Sequence, residues 1–154
     1  MFCDDYLELV KERAYGASTP EGQASAVRTL RTAVDVLLRL FAPFIPFATE
    51  EVWGWTHDDS VHTAAWPVVP ADSAAPTGLL PLVSEALIGI RRAKTDAKAS
   101  QKTEAVSATI AGPALLESGI DDLKAVGRIA NVTFIEAENV TVSDIVLAEQ
   151  PETV

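Results

Sequence analysis

Apolar residues recur at spacings of three and four through residues 2–90, then at spacings of two beyond residue 104. The first period belongs to amphipathic helices, the second to half-buried strands. Phe2, Tyr6, Leu9 and Val10 share a helical face, with Asp4, Asp5, Glu8, Lys11 and Glu12 off it. No capping signal precedes Phe2, so the pattern reads as a helix entered partway along. Gly16 supplies a stop after Tyr15. Ser18 or Thr19, then Pro20 and Glu21, supply a cap, a first-turn proline and a carboxylate at the positive end of the next helix. In that second helix Val27, Leu30, Val34, Leu37 and Phe41 form a regular stripe, with Arg28, Arg31, Asp35 and Arg39 off it. Such a stripe calls for partner helices on its apolar side, hence a bundle.

Residues 38–55, LRLFAPFIPFATEEVWGW, concentrate aromatic residues around two prolines. Proline cannot continue a helix but suits its first turn. Pro43 therefore stops the second helix and a short one runs from Pro46 to Trp53, with Glu50 and Glu51 near its start and Gly54 as its stop. Phe41, Phe44, Phe47 and Trp53 are expected to fill the corner. Residues 56–78 read as a loop, with Val61 and Trp66 of SVHTAAWP pinned to the bundle in a short extended piece. A fourth helix carries Leu80, Val83, Leu87 and Ile90 on one face, then runs into RRAKTDAKAS, where the stripe ends and cations take over.

Val106, Ala108 and Ile110 then alternate with Ser107 and Thr109, a strand signature. Residues 113–127 read helical, broken at Gly119, with Leu115, Leu116, Ile120, Leu123 and Val126 available for burial. Residues 131–138 and 139–149 read as two further strands. The expected fold is mainly α: a helical bundle with a small C-terminal β-α-β-β (α+β) unit. Its parts are a truncated bundle at 1–78, the fourth helix with its basic end at 79–103, and the small unit at 104–154.

Length and composition narrow the function. The 154 residues suffice for one domain or two small units, and 48% are apolar. Net charge is −10, so a polyanion can be held only by a local basic patch. Residues 91–104 carry five basic and two acidic groups, whereas each other stretch is net acidic. Cys3 excludes an intramolecular disulfide and reads as a small buried apolar residue. The N-terminus lacks a signal-peptide pattern, and no apolar run reaches the ~20 residues of a membrane span. The expected location is the cytoplasm.

Catalytic patterns are missing from the sequence: no glycine-rich phosphate loop, GxSxG, HExxH or metal-ligand spacing. His57 and His62, beside Asp58 and Asp59, read as a solvated turn. A small enzyme built on that loop is the weaker rival. Glu50 and Glu51 point in different directions on a helix, so they suit its dipole better than acid–base work. The strong charge feature is IRRAKTDAKASQK (90–102), with Arg91, Arg92, Lys94, Lys98 and Lys102. If the helix persists, Lys94, Lys98 and Lys102 share a face that could bind phosphates without reading bases. An ordinary helix end, whose cations suit the negative dipole, explains the same charges.

FCDDYLELVKERAYG, LRLFAPFIPFATEEVWGW, SVHTAAWP and IRRAKTDAKASQKTE occur in the order and spacing of the valyl-tRNA synthetase family, class I aminoacyl-tRNA synthetases. Together they resemble its helical anticodon-binding domain and the small unit that follows, over essentially the whole chain. The aromatic corner and SVH…WP resemble isoleucyl and leucyl relatives as well. FCDDYLELVK and IRRAKTDAK carry the valyl resemblance. The resemblance implies a role in holding the anticodon stem-loop of valine tRNA within a full-length valine–tRNA ligase. It also implies no catalysis by this stretch alone. The family's catalytic domain, with its HIGH- and KMSKS-type signatures, and its editing domain are not in these residues. ATP and Mg2+ would belong to the parent enzyme, and no cofactor or metal to this part. Its partners would be the tRNA and the parent's catalytic domain. The family also has further helix before Phe2, and many members end in a charged coiled-coil arm that AEQPETV does not resemble.

By the same resemblance Lys11, Arg13 and Tyr15 match the end of the first motif helix, and Arg91, Arg92, Lys94 and Lys98 match the basic helix. With Lys102 they are the candidates for RNA contact or domain docking. Stacking on a base needs an exposed aromatic; Tyr15 is a candidate, while Tyr6 is expected in the core. The rival reading is a free-standing helical protein-interaction module.

Overall fold

The computed structural model describes residues 2–16, 19–68 and 78–148. The Ser18 alternative for the helix cap, residues 69–77 of the 56–78 loop and residues 149–154 of the tail lie outside them. The described elements are a short π-helical segment at Phe2–Tyr6, α1 (Leu7–Ala14), α2 (Pro20–Phe41), α3 (Pro46–Trp53), α4 (Leu79–Asp96), β1 (Ala105–Gly112), α5 (Ile120–Gly127), β2 (Ile129–Glu136) and β3 (Thr141–Leu147). Short 3-10 turns at Val61–Thr63 and Ala114–Gly119 complete them. The expected class, mainly α with a small α+β part, is the observed one.

The chain packs as two compact units, residues 1–17 with 76–154, and residues 18–75. This partition differs from the grouping suggested by sequence order. α1 and α4, expected in or beside the bundle, lie with the strands. The reason is visible in the core: Leu9 of α1 joins Val83, Leu87 and Ile90 of α4 in one cluster with Ala108, Ile110, Leu116, Leu123 and Ile129.

In that first unit the sheet order is β2-β1-β3, with β1 parallel to β2 and antiparallel to β3. A parallel neighbour requires a crossover, and the 3-10 turn and α5 supply it. Gly119, between them, comes so close to α4 that an added Cβ would sit 2.5 Å from Val83 Cγ2. Ala108 and Ile110 face the core as expected, but Val106 is exposed. Register shifts flank Ser107 in the pairing with β3, and a bulge turns side chains off a strict alternation. Cys3 is exposed, contrary to its expected burial.

In the second unit α2 begins as its sequence dictates: Thr19 Oγ1 accepts the Gly22 N–H at 3.1 Å, and Pro20 opens the first turn. α3 starts at Pro46 and stops at Gly54. Trp53 is buried with Ala42 and Val61, and its Nε1 donates to Asp59 Oδ1 at 3.0 Å. Glu50 does more than match a dipole. Its Oε2 accepts from Ser60 Oγ at 2.9 Å and from Val61 N at 3.0 Å, fastening the loop to α3. That loop forms a 3-10 turn where an extended piece was expected; Val61 is buried and Trp66 exposed. His57 is not a free turn residue: its ring stacks on Trp53 at 3.7 Å.

The corner itself is not filled by its phenylalanines. Phe44 is 78% and Phe47 90% exposed, and Val34, Leu37 and Phe41 also face outward. Among the described residues α2 buries only Ala26 fully. Periodicity put Val34, Leu37 and Phe41 on one face of α2, yet no described element of the unit covers it. Leu37, at 39% exposure, is therefore a surface position. Leu37→Asp is expected to cost about 0.5–1 kcal/mol, mostly helix propensity, and to leave the chain folded in a thermal melt. Wholesale unfolding would show that the face is covered. No described helix is long and apolar enough to cross a membrane.

Candidate nucleic-acid interface

The basic stretch divides by what the backbone does after α4. The helix stops at Asp96, and Lys98 adopts a left-handed conformation at φ 54°. Lys94, Lys98 and Lys102 consequently do not continue along one helical face, as the unbroken-helix expectation required.

Lys94 is the largest correction. Its side chain is 1% exposed, in register with Val83, Leu87 and Ile90 on the buried side of α4. The ammonium donates all three of its protons to carbonyls: Thr103 O and Gly127 O at 2.7 Å, Gln101 O at 3.2 Å. Burial, and then the guanidinium of Arg128, pull its pKa below the ordinary lysine value. Lys94 cannot touch a phosphate without unfolding its surroundings. Gln101 reinforces the same turn, its Nε2 donating to Arg91 O at 3.0 Å and Thr95 Oγ1 at 3.2 Å.

Arg13 is likewise committed. Its Nε lies 2.8 Å from Asp122 Oδ1, poorly aligned for a hydrogen bond, so the contact joins α1 to α5 chiefly by charge. Burial raises the Asp122 pKa against the opposing pull of Arg13. Arg91 is half-exposed and lies 3.8 Å from Asp5 Oδ1, while Asp5 Oδ2 accepts from Ser84 Oγ at 3.0 Å.

The remaining candidates face solvent. Lys11 is exposed in a loose 3.8 Å contact with Glu8, and Arg92 in a 3.9 Å contact with Asp96. Exposed pairs of this kind contribute little and yield readily to a polyanion. Tyr15 is 79% exposed beyond α1 and offers a stacking face, whereas Tyr6 is partly buried. Lys98 and Lys102 are exposed with no ion pair among the described residues. One cation that sequence reasoning passed over joins them: Arg128, exposed after α5, donates from Nη1 to Lys102 O at 3.4 Å. A solitary arginine after Gly127 gave no signal, because the strand and turn that bring it to Lys102 lie far away in sequence. No group of three or more His, Cys, Asp or Glu suited to a metal occurs among the described residues.

Comparison with known proteins adds what the geometry cannot. Residues 1–110 match the family described as the anticodon-binding domain of tRNA ligase. The valine–tRNA ligase of Leifsonia xyli subsp. xyli is 52% identical over 98% of this chain and 18% of its own length. That of Cutibacterium acnes is 44% identical over 97% of this chain and 18% of its own length. That of Thermobifida fusca is 47% identical over 86% and 16%. The chain thus spans 16–18% of the length of these three relatives.

Proposed function

The chain belongs to the anticodon-binding domain family of tRNA ligases, and from that premise we propose that it serves a valine–tRNA ligase by holding the anticodon stem-loop of valine tRNA. The family match over residues 1–110 is the observation that carries this reading. The exposed cations support it, since an acidic chain can hold RNA only through a local patch. Lys11, Arg92, Lys98 and Lys102, with Tyr15, are the contact candidates. Arg13 and Lys94 act inside the fold, and Arg91 sits between the two roles. Activation of valine with ATP and Mg2+ would fall to parts of the ligase outside the matched stretch, in the cytoplasm. The outward row of Val34, Leu37, Phe41, Phe44 and Phe47 would then meet those other parts. A row of that kind is also what favours the second reading, a protein-docking module.

Fluorescence anisotropy with a labelled valine-tRNA anticodon stem-loop tests the proposal. Affinity should fall steeply with salt, the log–log slope steepening by roughly 0.7–0.9 for each phosphate contacted. Combining Lys11→Glu with Arg92→Glu should abolish binding at low salt. Absence of binding by the unmodified chain would leave the docking reading in possession.

A further inference from the structure

Two exposed cations occupy backbone positions that normally go to glycine. At the end of α4, the Ala99 N–H donates to Lys94 O and the Lys98 N–H to Thr95 O, each at 2.9 Å. This is a Schellman motif, and Lys98 sits at its left-handed position with φ 54°. At the end of α5, Arg128 has φ 50°, its N–H reaching Ala125 O at 3.2 Å. In such backbone a Cβ is crowded and glycine is the less strained residue.

Both positions belong to one frame. The buried Lys94 ammonium holds Gly127 O, just before Arg128, and Gln101 O and Thr103 O, on either side of Lys102. Arg128 Nη1 reaches Lys102 O. Lys98, Lys102 and Arg128 thus lie on one hydrogen-bonded frame, all exposed and none in an ion pair among the described residues. Lys98 and Lys102 belong to the one net-basic stretch of an acidic chain, and Arg128 borders a hollow where Lys124 is balanced by Glu12 and Glu104. A strained backbone position that keeps an exposed cation where glycine would be easier points to something met outside the fold.

We propose that Lys98, Lys102 and Arg128 form a phosphate-contact cluster for RNA, framed by Lys94, with the two left-handed cations trading stability for that contact. The proposal rests on the RNA-binding reading above and extends it to a residue outside the basic stretch. The test uses the full chain, the variants Lys98→Gly and Arg128→Gly, and Arg28→Ala on α2 as a control for net charge. Each glycine variant should melt at or above the temperature of the parent. Each should bind the stem-loop about three- to tenfold more weakly at low salt, with a slope shallower by about one contact. Arg28→Ala should bind like the parent. Glycine variants that bind as tightly as the parent overturn the cluster and leave the RNA-binding reading standing. Glycine variants that both melt lower overturn the argument that these positions prefer glycine, and the proposal with it. A parent chain that binds no RNA overturns both.

Discussion

Lys94→Met is expected to destabilise the unit made of residues 1–17 and 76–154 by about 3 kcal/mol or more. Methionine fills similar space, so the loss is not one of volume. Three carbonyls, of Gln101, Thr103 and Gly127, would lose a charged donor at once. Each such bond contributes about 1.5–3 kcal/mol, offset in part by no longer desolvating an ammonium. Lys98→Ala, four residues on and exposed, should change stability by no more than about 0.5 kcal/mol. The comparison separates a structural lysine from its solvent-facing neighbours in the same basic run. Chemical denaturation followed by far-UV circular dichroism measures both. Equal effects would mean that the Lys94 ammonium is not bound as described. The same geometry changes how charge-reversal experiments are read: Lys94→Glu would report on folding, whereas Arg92→Glu reports on contact.

The second large effect is expected from Leu9→Ala, at about 2–5 kcal/mol for a fully packed leucine. Leu9 is 3% exposed in a cluster with Leu87, Ile90, Leu123 and Ile129. A substitution near the start of the chain should therefore loosen strands more than ninety residues away, while sparing α2 and α3, which belong to the other compact unit. Trp53, Trp55 and Trp66 all lie in residues 18–75, so tryptophan fluorescence follows that unit alone. Circular dichroism follows both. Leu9→Ala should shift the dichroism transition and leave the tryptophan transition in place. A shift of the tryptophan signal alone would put α1 with the wrong unit.

These two residues show how far the sequence could be read. The stripe of α4 was legible as Leu80, Val83, Leu87 and Ile90, and the next position in that register is Lys94. A lysine there marks the stripe's continuation, since a buried cation must find acceptors. Charge made it look like surface, and the carbonyls that accept its protons come from a turn and from α5, which no local pattern announces. Arg13 was hidden for the same reason, because Asp122 is its partner only after folding. Lys11, Arg92, Lys98 and Lys102, candidates from the sequence for RNA contact or domain docking, are exposed, which is the default for charge.

The period of three and four fixed which residues share a face on α2 and α4, the prolines fixed where α2 ends and α3 begins, and the period of two fixed the three strands. These are local properties of backbone geometry and side-chain chemistry, so they are written in adjacent residues. The quoted motifs also carried the family. Which face is covered, and by what, belonged to the tertiary structure. The stripe of α4 is buried against the sheet and α1, whereas the outer part of the α2 stripe faces solvent. Periodicity says where apolar groups point, but burial depends on contacts between segments that only the folded chain brings together.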